Sequence, residues 1–262
     1  YMAVKHMPQD SIDAALHEVL VLSPENTNSR LQLIQSALKR NDTEGIINLC
    51  LPALEYTPDE MMFYYFLGIA YYQKGEADKA FDVLSRGVRQ ITPQSNKEIA
   101  ADLYAIMGEI LHEKGRNKEA FEAYDSCLQW KPDQVMTLNN YAYFLAVAGR
   151  RLPDAVRMAA RAVEISPSEV SYIDTYAWAL YRSHNYKAAR TQIDLLLQLL
   201  GEADANRAKD ANATGYYDRA GDIYAALGLR KEALRFWKHA LQHTDDNALS
   251  KRLRAKIKRG RP

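Results

Sequence analysis

The chain has 262 residues, 47% of them hydrophobic, with 12 Gly, 9 Pro and 2 Cys, a composition that excludes collagen-like, disulfide-scaffold and disordered classes. Its 34 basic and 33 acidic side chains give a formal charge of +1. That total hides a division: residues 248–262 hold seven basic side chains (Lys251, Arg252, Arg254, Lys256, Lys258, Arg259, Arg261) and no acidic one, which leaves 27 against 33 in the body, a net of −6.

From the N-terminus onward, there is no run of 18 or more apolar residues to cross a membrane and no basic, apolar, small-residue export pattern. A soluble chain is expected. A start at Tyr1 rather than Met suggests a processed or truncated product, so the expected location is cytoplasmic, or envelope-associated or periplasmic if an upstream targeting segment is missing. Ile12, Leu16 and Val19 precede Pro24 with helical spacing and predict a lone helix, half of a repeating unit, over 10–26.

After it the sequence keeps a beat. Pro24, Pro58, Pro93, Pro132 and Pro167 stand 34, 35, 39 and 35 residues apart, and Gly201 follows 34 later. Asn41, Gly75, Gly115, Gly149, His184 and Gly228 each lie five or six residues ahead of Ile46, Ala80, Ala120, Ala155, Ala189 and Ala233. Between these marks apolar residues recur at i, i+3, i+4 and i+7, as in Tyr64, Leu67, Gly68 and Tyr71, and a second stripe follows each turn, as in Ala120, Tyr124 and Cys127. Each unit therefore reads as helix, turn, helix. The turn residue is of the type that accepts a left-handed conformation, and proline ends the second helix because the residue before it avoids the α region. Two departures, after Pro93 and after Gly201, add about six and ten residues and predict longer first helices or loops, the second over the polar stretch Glu202 to Ala213.

Tyr64-x-x-Leu67-Gly68-x-x-Tyr71…Gly75…Ala80…Pro93 and Tyr217-x-x-Ala220-Gly221-x-x-Tyr224…Gly228…Ala233-x-x-x-Trp237-x-x-Ala240 resemble the tetratricopeptide repeat. The resemblance implies an all-α fold over 1–262, a right-handed superhelical solenoid with repeats at 27–60, 61–98, 101–134, 135–169, 170–203 and 214–247 and a basic C-terminal capping helix or tail at 248–262. The repeats at 135–169 and 170–203, through Leu138 to Tyr143 and Tyr172 to Trp178, look like tandem copies found in bacterial members, some of them envelope-associated. Small residues such as Gly68, Gly108 and Ala142 let paired helices approach, and neighbours must stack because no single pair buries its apolar faces.

In this family the first helices line a concave groove, and positions two, five, nine, twelve and thirteen of each repeat face a ligand. Carried onto this chain, that register selects Met62, Tyr65, Ile69 and Tyr72; Asp102, Glu109 and Glu113; Asn139 and Tyr143; Asp174, Trp178 and Tyr181; and Asp218 and Asp222. Six charged members of the full register are acidic and two, Lys39 and Arg182, are basic. The Lys and Asn clamp by which chaperone-binding members hold a C-terminal carboxylate lacks its lysines here. Aromatics beside carboxylates suit a polypeptide offering Lys or Arg and apolar anchors, unless the aromatics merely pack between adjacent first helices.

Catalytic patterns are missing: there is no HExxH, GxSxG or phosphate-binding glycine loop, and no enzyme activity, cofactor or metal is expected. His239 and His243, with Asp245 and Asp246, have metal-like spacing, but histidines at a helix C-terminus have a simpler reason in the helix dipole. Cys50 and Cys127 lie on inward stripes and read as buried structural thiols. In the tail, Leu249, Leu253 and Ile257 follow the cap signal Asp245-Asp246-Asn247 and predict a solvated capping helix, with nucleic-acid or anionic-membrane contact as the minor reading. The chain is thus expected to be a protein-binding scaffold, with self-association through the open half repeat at 10–26 as the alternative.

Overall fold

The structure, a computed structural model, describes residues 8–202 and 211–262. Its described residues form helices and turns with no strand, and they group into two compact units, 1–132 and 133–262. The N-terminal unit holds α1 (Gln9–Leu22), α2 (Thr27–Lys39), α3 (Thr43–Tyr56), α4 (Met61–Gln73), α5 (Ala77–Val88), α6 (Lys97–Glu113) and α7 (Asn117–Trp130). The C-terminal unit holds α8 (Val135–Ala148), α9 (Leu152–Ile165), α10 (Val170–Arg182), α11 (Tyr186–Glu202), α12 (Ala211–Ala226), α13 (Arg230–Gln242) and α14 (Asn247–Arg259). Within each unit a first helix pairs with the second helix that follows it, and successive pairs stack.

The turn residues do what the periodicity requires of them. Asn41, Gly75, Gly115, Gly149, His184 and Gly228 all have positive φ, between 54° and 78°, so the chain reverses through a left-handed residue at every pair. The pre-proline residues Ser23, Thr57, Lys131 and Ser166 close α1, α3, α7 and α9 with φ near −135° to −140° and ψ of 69° to 89°, the extended conformation that the proline ring enforces. The helix before Pro93 behaves differently. It ends at Val88, where Gly87 lies against the Cβ of Tyr64, and the chain leaves through turns closed on Gly87 O and Val88 O. The extra residues after Pro93 lengthen α6 to 17 residues, against 13 in α4. The polar spacer expected from Glu202 to Ala213 falls largely outside the described residues.

Close approach of paired helices rests on missing side chains. A Cβ on Gly108 would sit 2.5 Å from the Tyr124 ring, and one on Gly68 would overlap Leu84. These contacts join α6 to α7 and α4 to α5, beside a core that includes Phe63, Tyr64, Leu67 and Leu84 in the N-terminal unit. The corresponding core of the C-terminal unit gathers Ile173, Leu180, Ile193, Trp237 and Leu253.

Helix α1 is tied to α2 by a buried polar cluster. Asp13, 7% exposed, accepts hydrogen bonds from Ser36 Oγ at 2.6 Å, Arg40 Nη1 at 2.8 Å and Gln9 Nε2 at 2.8 Å. Burial alone would raise its pKa, but these bonds outweigh it and hold the carboxyl at about 2. A carboxyl depressed on folding stabilises the fold above the unfolded-state value near 4, and this contribution is lost as pH falls through about 2. Because the Arg40 side chain is half exposed and screened, the contribution is about 1 kcal/mol. Urea denaturation at pH 4.5 and 2.5 should show Asp13→Asn losing less stability than the parent over that interval, and equal losses would remove Asp13 from the account. At the other end of α1, Val19, Val21 and Leu22 are exposed, so the inward stripe predicted through Val19 stops short of it.

Candidate functional site

In the N-terminal unit, neighbouring first helices α4 and α6 carry the selected residues. Met62, Tyr65, Ile69 and Tyr72 of α4 are half-buried, as are Asp102 and Glu109 of α6, while Glu113 is exposed. Tyr72 Oη donates to Glu113 Oε1 at 2.5 Å, which links the aromatic column of α4 to the acidic column of α6. Burial raises the pKa of both phenols, and the neighbouring carboxylates, Asp102 for Tyr65 and Glu113 for Tyr72, raise it further. Tyr65 and Tyr72 also pack on the core. They are therefore part scaffold and part surface, where the sequence posed packing and exposure as alternatives.

In the C-terminal unit an arginine that the register did not select organises the face. Arg219 of α12 places its guanidinium 5.4 Å from the ring centre of Tyr143 on α8 and 5.5 Å from that of Trp178 on α10, and pairs with Asp174 of α10. Trp178 stacks on Tyr181 with centroids 5.1 Å apart, and Arg182 lies over the same indole while its Nη1 donates to Val147 O at 3.0 Å. Burial pushes Tyr181 up to about 12, with the Asp222 carboxylate adding to it. Asn139 donates through Nδ2 to Asn140 Oδ1 at 3.1 Å. Its Oδ1, together with Asp174 Oδ1 and Trp178 Nε1, is buried without a hydrogen-bond partner.

Three of the acidic positions require correction. Asp174, Asp218 and Asp222 were expected to face a ligand, yet they are only 6%, 5% and 7% exposed and are engaged within the chain. Lys256 Nζ of α14 reaches Asp218 Oδ1 at 2.7 Å and both oxygens of Asp222 at 2.6 and 2.7 Å, and Arg252 Nη2 reaches Asp218 Oδ2 at 2.9 Å. Asp222 Oδ1, the nearer of the two to Lys256, also accepts from Trp237 Nε1 of α13 at 3.0 Å. The physical reason is desolvation, since a carboxylate on the packed side of α12 needs a counter-charge, and the tail supplies one. Burial still pushes the Asp222 carboxyl upward, with Lys256 opposing it. The capping helix is consequently less solvated than expected, with Lys256 only 8% exposed and Leu253 fully buried, while Asp246 caps its first turn as predicted.

The other candidates are accounted for locally. His239 and His243 stack 4.3 Å apart at the end of α13, and His243 Nδ1 lies 2.8 Å from His239 O. Burial and the second imidazole push His239 down. Among the described residues no group of three His, Cys, Asp or Glu side chains is placed to hold a metal ion. Cys50 and Cys127 are buried thiols outside any disulfide, and burial pushes Cys50 up to about 12, far from a nucleophile's range. No described helix is long and apolar enough to cross a membrane.

The family model described as "Tetratricopeptide repeat" matches residues 101–134, the pair α6 and α7. At residues 101–134, then, the chain carries a tetratricopeptide repeat. Solved structures carry the same fold at low identity. A tetratricopeptide repeat protein from Parabacteroides merdae is 14% identical with a TM-score of 0.63, covering 88% of this chain and 85% of its own. A chain of the APC/C hetero-tetramer Cut9-Hcn1 is 14% identical with a TM-score of 0.64 over 95% of this chain, which spans 45% of it. The MamA protein is 16% identical with a TM-score of 0.56, covering 72% of this chain and 97% of its own. No curated protein matches the sequence. Repeats of this kind serve as protein–protein interaction scaffolds.

Proposed function

We propose that this tetratricopeptide array is a non-catalytic scaffold that holds a polypeptide segment of basic and apolar character on the α4–α6 face, against Tyr65, Tyr72, Asp102, Glu109 and Glu113. The observation that carries this reading comes from the other unit. There two acidic register positions of α12, Asp218 and Asp222 (the latter equivalent to Glu109), already hold such a segment, the chain's own α14, through Arg252 and Lys256 with Leu253 buried beside them. Carboxylates and half-exposed aromatics together offer a charge-assisted anchor and an apolar contact to the same ligand. A fluorescein-labelled peptide with the sequence of residues 247–261 is a suitable probe. Its binding should weaken about tenfold on raising salt from 50 to 500 mM, and by a similar factor in a Tyr65→Ala/Asp102→Ala variant. Affinity unchanged in that variant would end the reading.

A further inference from the structure

A cleft of about 660 Å³ lies in the N-terminal unit between α1 and α3, over α2. Leu20 and Val21 of α1, Leu33 of α2, and Leu49, Pro52 and Tyr56 of α3 give it apolar walls. At its mouth Val21 is 80% exposed and Tyr56 52%, next to Leu22 at 85%. Exposed apolar residues are ordinary when scattered, but here they gather around one opening.

One charged side chain in this cleft is almost wholly buried. Arg30 is 5% exposed; its Nη1 donates to Leu49 O at 2.9 Å and its Nη2 to Pro24 O at 2.6 Å. A guanidinium has five N–H groups, so three are left without a protein partner, and both acceptors it has are neutral carbonyls. The Cys50 thiol and the Tyr56 phenol lie near its charge, and neither is hydrogen-bonded to it. The remaining charged side chains of the cleft are committed elsewhere: Arg40 to Asp13, and Asp42 to the N-cap of α3, where it accepts from Gly45 N at 2.8 Å. Bridging two carbonyls requires donors but no charge. A desolvated guanidinium with spare N–H groups is suited to a carboxylate, which it can hold bidentately.

We propose that this cleft is a second partner-binding site, which takes an amphipathic segment of another protein, setting an Asp or Glu carboxylate on Arg30 and apolar side chains on Leu20, Val21 and Tyr56. The apolar rim continues past the cleft to Leu22, so the occupant extends beyond a small molecule's reach, as a polypeptide does. Its charge is opposite to that of the segment assigned to the α4–α6 face, and the two sites therefore do not compete for one ligand.

Panning a phage-displayed random dodecapeptide library against the full chain tests this directly. The expected class of clones carries Asp or Glu flanked by Leu, Ile, Phe or Met. The corresponding synthetic peptides should lose at least tenfold in affinity on Arg30→Gln and on Val21→Glu, and less than twofold on Tyr65→Ala/Asp102→Ala. Val21 is exposed enough that Val21→Glu leaves the fold intact, so the test survives if Arg30→Gln does not fold. Failure to enrich acidic apolar peptides, or affinities indifferent to both cleft variants, would overturn the proposal. So would sedimentation showing a dimer that Val21→Glu dissociates, since a second copy would then be the occupant.

Discussion

Replacing Lys256 by methionine should lower the melting temperature by roughly 10 °C, a loss of about 3–5 kcal/mol. The ammonium is 8% exposed and is shared by two carboxylates that are 5% and 7% exposed. Its removal leaves the Asp222 charge buried with only the Trp237 indole beside it and Asp218 with only the largely exposed Arg252, and the cost is that of a stranded carboxylate rather than of a lost contact. Two further variants separate these causes. Adding Asp218→Asn and Asp222→Asn to Lys256→Met should restore most of the stability, because an amide at 222 still accepts from Trp237 and carries no charge. Arg252→Ala, whose side chain is 62% exposed, should cost no more than about 1 kcal/mol. A melting temperature unmoved by Lys256→Met would mean that the buried pair is not formed in solution.

Arg219→Ala should be comparably damaging, at about 3–5 kcal/mol. It removes the counter-charge of Asp174, whose second oxygen already lacks a partner, and it takes away the cation lying over Tyr143 and Trp178. Helix α12 thereby loses a side chain that joins it to both α8 and α10. Arg219→Lys should recover only part of the loss, since an ammonium keeps the charge but not the flat surface that stacks on the rings. Urea denaturation followed by tryptophan fluorescence reads both variants, and Arg219→Ala falling within 1 kcal/mol of the parent would show that the cluster contributes little.

How much of this was legible in the sequence depends on how local the cause is. The turns were, because a left-handed residue every 34 or so positions is a backbone requirement that Gly, Asn and His mark by themselves, down to the positive φ of Asn41 and His184. The helix ends before Pro24, Pro58, Pro132 and Pro167 were too, since the ring constrains its neighbour directly. Pro93 misled because α5 already ends at Val88 and the chain reaches the proline through turns closed on Gly87 O and Val88 O. The face of each first helix followed from the repeat register, but the register does not say what lies over that face. Asp218 and Asp222 are covered by a helix more than thirty residues later, Asp174 by an arginine one step off the register, and Arg30 is set by carbonyls that no side-chain pattern reveals. A signal for the first case does exist. Asp218 and Asp222 are four residues apart on α12, Arg252 and Lys256 four apart on α14, and two helices with matching spacing of opposite charge are suited to lie together.

The doubly used oxygen of Asp222 has a mechanical consequence. Because one atom takes a hydrogen from the indole of α13 and another from the ammonium of α14, lifting the last helix also disturbs the anchor of the pair beneath it. Helix α14 is then a keystone rather than an appendage, and hydrogen exchange in α12 and α13 is expected to quicken when α14 is lifted. A fusion or tag placed after Pro262 hangs from the far end of that keystone, whereas trimming the chain back into α14 loosens the stack itself.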